Sequence, residues 1–536
     1  MLSSKTRSRA TLVGRVPAAR FPGLSALTRA WLESPAARPL ARAGGDSSTP
    51  AAAAIAAYRE RTSPDRAALA SVVRDGLARA GVALGPEREA SLAALARPRS
   101  VAIVTGQQAG FATGPLYTLY KALTVVAIAR SLRAAGERDV VPVFWCASDD
   151  HDLAELDGLR APDTEGGEVR KFRSGIGAIT RTPAFAVTVS ADVREAFERY
   201  AAAHPKTDFS ESVRAALGPR DGESLATWFL RSLAGLPGLE ELLPVEGRTL
   251  VGPFGSRVVA AELADPAASS RAFEAGAGAI RARGFEPALA ALTAPFLYEV
   301  RETAGRWERV PVGESRRLAG VASPNVALRP VVQGEVLPAA VVVGGPGEIA
   351  YLSQLGPLFE RHGVPSPALA PRFSATLLDA RSEKTLRGLG LEPETLFDLP
   401  SRAPAPAAAG VPDAFDRNAE AAAVALAAIE REAAAADATL EKPARKIRES
   451  TVGALGKLRE KIAEAAGAAS ETSLRRFRRL LGSVLPDGEP QERVFGPWTF
   501  LNQFGLDLAR SIGEIVDPAD ASHAVVRAST EESESA

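Results

Sequence analysis

Four stretches of the chain gather residues able to do chemistry. In "VTGQQAGFATGPLYTLYK" (104–121), Thr105, Gly106, Gln107 and Gln108 close an apolar run, and Gly114, Pro115, Tyr117 and Lys121 follow. A strand that ends at a glycine turn and feeds a helix aims free N–H groups and the positive dipole end at the turn, which predicts a phosphate or carboxylate site. Pro115 suits the first helical position, making Gly114 the N-cap and setting Tyr117 and Lys121 four residues apart on one face. The spacing is neither GxGxxG nor GxxxxGK[ST], so neither nucleotide fingerprint applies, and the glycines could equally serve backbone shape alone.

"SDDHD" puts Asp149, Asp150, His151 and Asp152 just past a second apolar run. Such a cluster could bind a divalent metal, supply a general base, or simply cap the next helix. With only four histidines in the chain, a histidine-rich zinc site is not expected. "VVVGGPGE" repeats the strand, glycine turn and helix order with Gly344, Gly345, Gly347 and Glu348, and "PRFS" offers Arg372 and Ser374 at another strand end. Arg372 could pair with an anionic ligand or be a turn arginine. The single cysteine, Cys146, sits inside an apolar run, where a small buried hydrophobe is the usual role and a nucleophile the alternative.

The elements that must position these residues follow from periodicity. Apolar strands at 101–104 and 140–146 flank a helix beginning at Pro115, a βαβ unit that predicts a right-handed crossover into a parallel sheet of an α/β fold. Ligands in such sheets bind beyond the carboxyl ends of the strands, where the 105–114 turn and 148–152 both lie. "LLPVEGRTLVG" (242–252), "AAVVVGG" (339–345) and "SPALAPR" (366–372) are further strands, and 50–98 reads as helix. In the 536-residue chain, Lys+Arg and Asp+Glu are equal at 64, so no global field favours nucleic acid or an anionic membrane. One cysteine excludes an internal disulfide framework and fits the cytoplasm. No signal peptide or membrane-spanning run is expected, since "TLVGRVPAARFPGLSAL" is broken by arginines and prolines.

Beyond the Pro- and Ala-rich linker at 399–413, Phe415, Ala422, Ile429 and Ala436 recur at heptad spacing, with Ala419, Leu426, Ala433 and Leu440 as the second seam. A turn near Pro443 and a returning stripe of Ile447, Val452, Leu455, Leu458 and Ile462 predict an antiparallel helical arm; an ordinary amphipathic pair packed on the body is the alternative. The polar, irregular stretch after Leu159 predicts an inserted subdomain.

Five blocks, "VTGQQAGFATGPLYTLYKAL", "PVFWCASDDHDLAEL", "LRPVVQGEVLPAAVVVGGPGEIAYLSQL", "PRFSATLLDARSEKTL" and "LPDGEPQERVFGPWTFLNQFG", together resemble the bacillithiol biosynthesis cysteine-adding enzyme (BshC) family, in order along most of the chain. The resemblance implies a Rossmann-like core with two connecting-peptide insertions and a coiled-coil arm that makes a homodimer. Its boundaries here would be core at 1–160, 225–304 and 341–400, insertions at 161–224 and 305–340, arm at 413–484, and a C-terminal segment, 485–536, that packs back on the core and ends in a disordered tail. It implies a cytoplasmic ligase joining the carboxyl of cysteine to the amine of glucosaminyl-malate, with no tightly bound cofactor and no resident metal. Amide formation from a free carboxylate is uphill in water, so ATP, with Mg, is the expected activating co-substrate. The family resemblance to class I aminoacyl-tRNA synthetases stops at their HxGH signature, because no histidine lies between Gly106 and Lys121. Within the matching blocks, Thr105, Gly106, Gln107, Gln108, Gly114, Tyr117, Lys121, Gly344, Gly345, Glu348, Arg372 and Ser374 are expected to hold substrate or anion, and Asp149, Asp150 or His151 to accept the amine's proton. A metal-dependent hydrolase centred on Asp149–Asp152 and a non-catalytic sugar- or nucleotide-binding scaffold are the competing readings.

Overall fold

The computed structural model describes residues 6–34, 49–163, 168–313, 317–403 and 413–532. Its central sheet contains β1 (Val101–Gln107), β2 (Val140–Cys146), β3 (Leu243–Glu246), β4 (Ala339–Gly344) and β5 (Ala368–Pro371). All neighbours are parallel, in the spatial order β5-β4-β1-β2-β3. β2 and β4 are buried along their whole length, which is why they read as unbroken apolar runs and not as alternating ones. Helix α1 (Leu116–Ala134) and the helices Pro50–Arg59, Arg66–Arg79 and Pro86–Leu95 pack against the sheet. From β1 the chain steps outward through β2 to β3, then returns to the other side of β1 as β4. Strand order therefore reverses between β1 and β4, and the crevice beyond their carboxyl ends is where such a sheet binds ligands.

Both insertions hang over that edge. Between β2 and β3 the chain makes an antiparallel hairpin, Leu159–Pro162 with Val169–Phe172, and helices Ala191–Ala202 and Ser210–Leu217. Between β3 and β4 it forms an antiparallel three-stranded sheet of Leu297–Thr303, Arg306–Pro311 and Val321–Pro324. The second insertion thus begins at Leu297, earlier than the expected 305, because Leu297 pairs with Pro324. Its expected end at 340 is also too late: helix α2 (Arg329–Val336) is buried against the core and leads straight into β4.

The chain termini close a second sheet. Strand His523–Glu532 lies between Thr6–Val16, antiparallel, and Ser374–Leu378, parallel. The C-terminal segment therefore packs on the core through to Glu532, and the rest of the expected tail, 533–536, lies outside the described residues. Of the expected linker, 404–412 also lies outside them, and Leu399–Arg402 end a helical stretch, Pro393–Arg402.

The arm is a hairpin of α3 (Asp413–Ala436) and α4 (Glu441–Val484). Arg445 and Arg448 reach Glu430 while Arg459 reaches Asp416, a pairing only antiparallel helices allow. Pro443 falls in the first turn of α4, where no N–H is missed, so the reversal lies at 437–440. The far end of α4 is not arm at all: Phe477, Leu480 and Val484 join Val16, Leu378, Leu386 and Val525 in a buried cluster on the second sheet.

Candidate active site

A cavity of about 870 Å³ opens at the carboxyl ends of β1 and β4. Gly106 and Gln107 from β1, Gly345 and Glu348 after β4, Tyr117 and Lys121 from α1, and Arg372 after β5 form its floor. Arg309 comes from the second insertion, Arg329 from the helix that leads into β4, Arg160 from the first insertion, and Glu489 and Arg493 from the C-terminal segment.

Lys121 is the buried centre of the floor, with its side chain leaning back towards the start of α1 as helical side chains do. Its Nζ donates to the Gly106 carbonyl at 2.8 Å and to Gln107 Oε1 at 2.9 Å, and pairs with Glu348 Oε2 at 2.7 Å. Burial pushes its ammonium down, an effect Glu348 only partly offsets. Burial pushes the Tyr117 hydroxyl up to about 12, with Glu155 and Glu348 adding to it, so the phenol stays protonated and accepts from Gln107 Nε2 at 3.3 Å. The Arg372 guanidinium is paired with the buried Glu492, and Cζ lies 5.5 Å from the Tyr117 ring centre.

The second glycine turn is not an anion cradle. Glu348 Oε2 accepts from the Gly345 N–H at 2.8 Å, capping the short helix Pro346–Leu352 from its own first turn. A carboxylate of the chain already occupies the place expected for a ligand. The first turn also differs: α1 starts at Leu116 with extended Pro115 as its N-cap, and the Leu116 N–H donates to the Phe495 carbonyl at 2.8 Å. Gly114, at φ +73°, lies in an adjoining side chamber, not on the main cavity.

Thr105, Gly344 and Ser374 do not line the main cavity. Thr105 Oγ1 ties β1 to β4 through the Val343 carbonyl at 2.8 Å, and Ser374 Oγ donates to Glu492 at 2.9 Å.

Of the three proposed proton acceptors only Asp150 faces the cavity. Burial alone would raise its carboxyl, but Arg329 at 3.4 Å and Arg309 at 3.6 Å outweigh that and hold it below the usual carboxylate range. Asp149 is buried and accepts from Ser323 Oγ. Arg309 Nη1 lies 3.0 Å from His151 Nδ1, and since arginine can only donate, the neutral imidazole carries its proton on Nε2 and has no free lone pair. Burial, followed by Arg309, pushes His151 down, so neutral is its state at pH 7. Asp152 caps Leu153–Leu156. The cluster is a structural clasp between the core and the second insertion, and it corrects the expectation of a base there. Among the described residues no three His, Cys, Asp or Glu side chains converge on a common point. Cys146 is fully buried, and burial pushes its thiol well up, as suits a packing residue.

Lys121, Arg160, Arg309, Arg329, Arg372 and Arg493 outnumber Asp150, Glu155, Glu348 and Glu489 on the cavity wall. Arg329 makes one long contact, to Asp150, and its Nε is buried without a partner. The positive charge on the wall comes from arginines more than from backbone amides. Arg309, Arg329 and Arg493 were missed because each reaches the site only through tertiary contact; Arg329 and Arg493 stand inside the blocks "LRPVVQGEV" and "PQERVFG", which was the available signal.

The sequence matches the family models described as bacillithiol biosynthesis BshC, N-terminal Rossmann-like domain, over 46–295 and 290–373, and BshC, C-terminal coiled-coil domain, over 375–528. A relative from Symbiobacterium thermophilum is 32% identical over 507 residues, covering 84% of this chain and 87% of that protein. One from Solibacter usitatus is 31% identical, covering 88% and 91%, and one from Salinibacter ruber 28%, covering 89% and 92%. Each of the three carries the name "Putative cysteine ligase BshC". With its Rossmann-like sheet, its helical arm and a match to both family domains over most of its length, the chain belongs to the BshC family.

Proposed function

We propose that the chain is a cytoplasmic ligase that joins the carboxyl of cysteine to the amine of glucosaminyl-malate, forming an amide. The observation that carries this reading is the arginine-rich cavity at the switch point of the sheet, in a chain spanned by the two BshC domains. Malate brings two carboxylates, and Arg329, with spare donors and a single weak partner, is suited to one of them by a bidentate contact. About 870 Å³ is room enough for the sugar acid together with cysteine. ATP would supply activation of the cysteine carboxyl, and the excess of cations suits its phosphates.

The sugar ammonium must lose a proton before it attacks. Glu155 lies on the cavity wall and its carboxylate is held by Gln108 Nε2 at 3.1 Å, whereas Asp150 and Glu348 are committed to arginine and lysine. Glu155 is therefore assigned the proton, and Gln108, which also donates to Asp150 at 3.2 Å, fixes its position.

The arm is assigned to self-association. Val424, Ile429, Ile447 and Leu458 stay exposed after α3 and α4 have packed together, with Ile447 at 61%, a face that a second arm would cover.

The test is an incubation of the purified chain with glucosaminyl-malate, cysteine and ATP, read by mass spectrometry. The cysteinyl amide should form only when all three are present, and E155Q should slow it by about a hundredfold or more, the scale of losing a general base. No amide under any of these conditions overturns the ligase reading.

A further inference from the structure

A side chamber of about 300 Å³ adjoins the main cavity through the shared wall of Gln107, Gln108, Tyr117, Glu155, Arg160 and Arg493. Its floor is the start of α1, with Thr113, Gly114 and Thr118, and its roof is the hairpin of the first insertion. In that hairpin Arg160 is the register partner of Lys171, so their side chains leave the same face. The opposite face, Leu159, Ala161 and Phe172, is buried. The alternation therefore drives Arg160 and Lys171 towards the chamber, Arg173 lines it from just past the strand, and Arg493 adds a fourth cation from the C-terminal segment.

Few carboxylates answer them. Asp157 spends both oxygens on the 174–177 turn, accepting from Ser174, Gly175 and Gly177, and Glu155 accepts from Gln108. Lys171 pairs with Asp487 at 3.1 Å in a solvent-exposed contact. Arg160, Arg173 and Arg493 have no carboxylate partner among the described residues.

The second observation comes from the floor. Thr113 and Thr118 are both fully buried, both line the chamber, and neither Oγ1 has a hydrogen-bond partner among the described residues. A buried hydroxyl without a partner is costly, and two beside the chamber, one in the first turn of α1 and one just before its N-cap, are donors the free chain leaves unused. Gly114, at φ +73°, keeps the wall between them free of a side chain.

We infer that this chamber is an oxyanion subsite, taking a phosphate or dicarboxylate group from a ligand whose remainder lies in the main cavity. The two hydroxyls donate to the oxyanion from the floor, and Arg160, Arg173 and Arg493 neutralise it from above. Its occupation needs no turnover, so it stands or falls apart from the amide chemistry.

Calorimetric titration of the full chain with inorganic phosphate, pyrophosphate, malate and acetate tests it. At least one dianion should bind more tightly than acetate. Tight phosphate or pyrophosphate with weak malate assigns the chamber to a phosphoryl group, and the reverse assigns it to a dicarboxylate; either supports the site. T118V, nearly isosteric and removing a hydroxyl with no partner in the free chain, should weaken that ion by about tenfold or more without lowering thermal stability. The R173Q/R493Q double variant should weaken it further and flatten its salt dependence. Dianions no tighter than acetate, or affinities unchanged in both variants, would overturn the assignment. Wild-type ion binding with no amide product would count against the ligase reading alone.

Discussion

Lys121 Nζ lies 2.7 Å from Glu348 Oε2, so one ion pair joins the helix after β1 to the helix after β4 across the point where strand order reverses. Lys121 is only 3% exposed. Removing one member of a buried pair strands the other charge, at a cost of about 3–5 kcal/mol. E348Q should cost less than that, because Glu348 is 30% exposed and Lys121 keeps the Gly106 carbonyl and Gln107 Oε1, and K121M should cost less still because Glu348 keeps the Gly345 N–H. In chemical denaturation the K121M/E348Q double variant should be more stable than E348Q alone. Additive losses would show that the pair is not coupled.

Gly106 and Gly114 are glycines for different reasons. A Cβ at Gly106 would meet the Trp145 carbonyl oxygen at 2.9 Å on the neighbouring strand, so G106A is a crowding defect. Gly114 has space, but its φ of 73° and ψ of −156° fall where L-residues are strained. G106A and G114A should each cost roughly 1–3 kcal/mol. G114N should be no milder than G114A, because this ψ lies outside the left-handed helical well that asparagine tolerates. Rescue by asparagine in thermal melts would contradict the strain.

Burial pushes His204 and His523 down to about 4 each. Both rings stay neutral in the folded chain while the unfolded chain takes up protons below about 6.5. A depressed histidine pKa therefore contributes stability that is fully present above about pH 6.5 and is lost as pH falls towards 4, by roughly 3 kcal/mol for each ring. Denaturation midpoints should drop steeply between pH 6.5 and 4.5, and the H204Q/H523Q variant should flatten that slope. Asp150 acts lower down: held below its ordinary value, it gives stability present above about pH 4 and lost as pH falls through its folded value. A flat wild-type profile from pH 7 to 4.5 would exclude the histidine contribution.

The arm can be shortened without touching the core cluster that holds Phe477, Leu480 and Val484. Asp416 and Arg459 are paired, so a short Gly-Ser link from 416 to 459 should close the truncated hairpin with little strain. Light scattering should find the full chain dimeric at micromolar concentration and the shortened one monomeric and folded. A monomeric full chain would dismiss the arm as a dimerisation element.

Local pattern already carried the scaffold. The apolar runs at 101–104, 140–146 and 339–344 became parallel strands because residues buried on both faces have no polar alternation to lose. The heptad stripe from Phe415 became a helix, and its partner stripe the antiparallel return. Ile429, a seam residue by spacing, is 56% exposed, because the pattern says which residues share a face but not what covers that face.

What the tertiary structure decided was which charges are free. By sequence, Lys121 and the glycines at 344–347 were anion binders; in the fold Glu348 engages both the lysine and the Gly345 N–H. By sequence, His151 was one of three candidate bases with Asp149 and Asp150; Arg309, from a strand far along the chain, fixes its proton on the far nitrogen. Spacing and propensity act over a few residues and specify strands, helices and turns. Whether a side chain is a reactive group or a clasp depends on the neighbour that reaches it from elsewhere in the chain, and only packing brings Arg309, Arg329 and Arg493 to the end of β1.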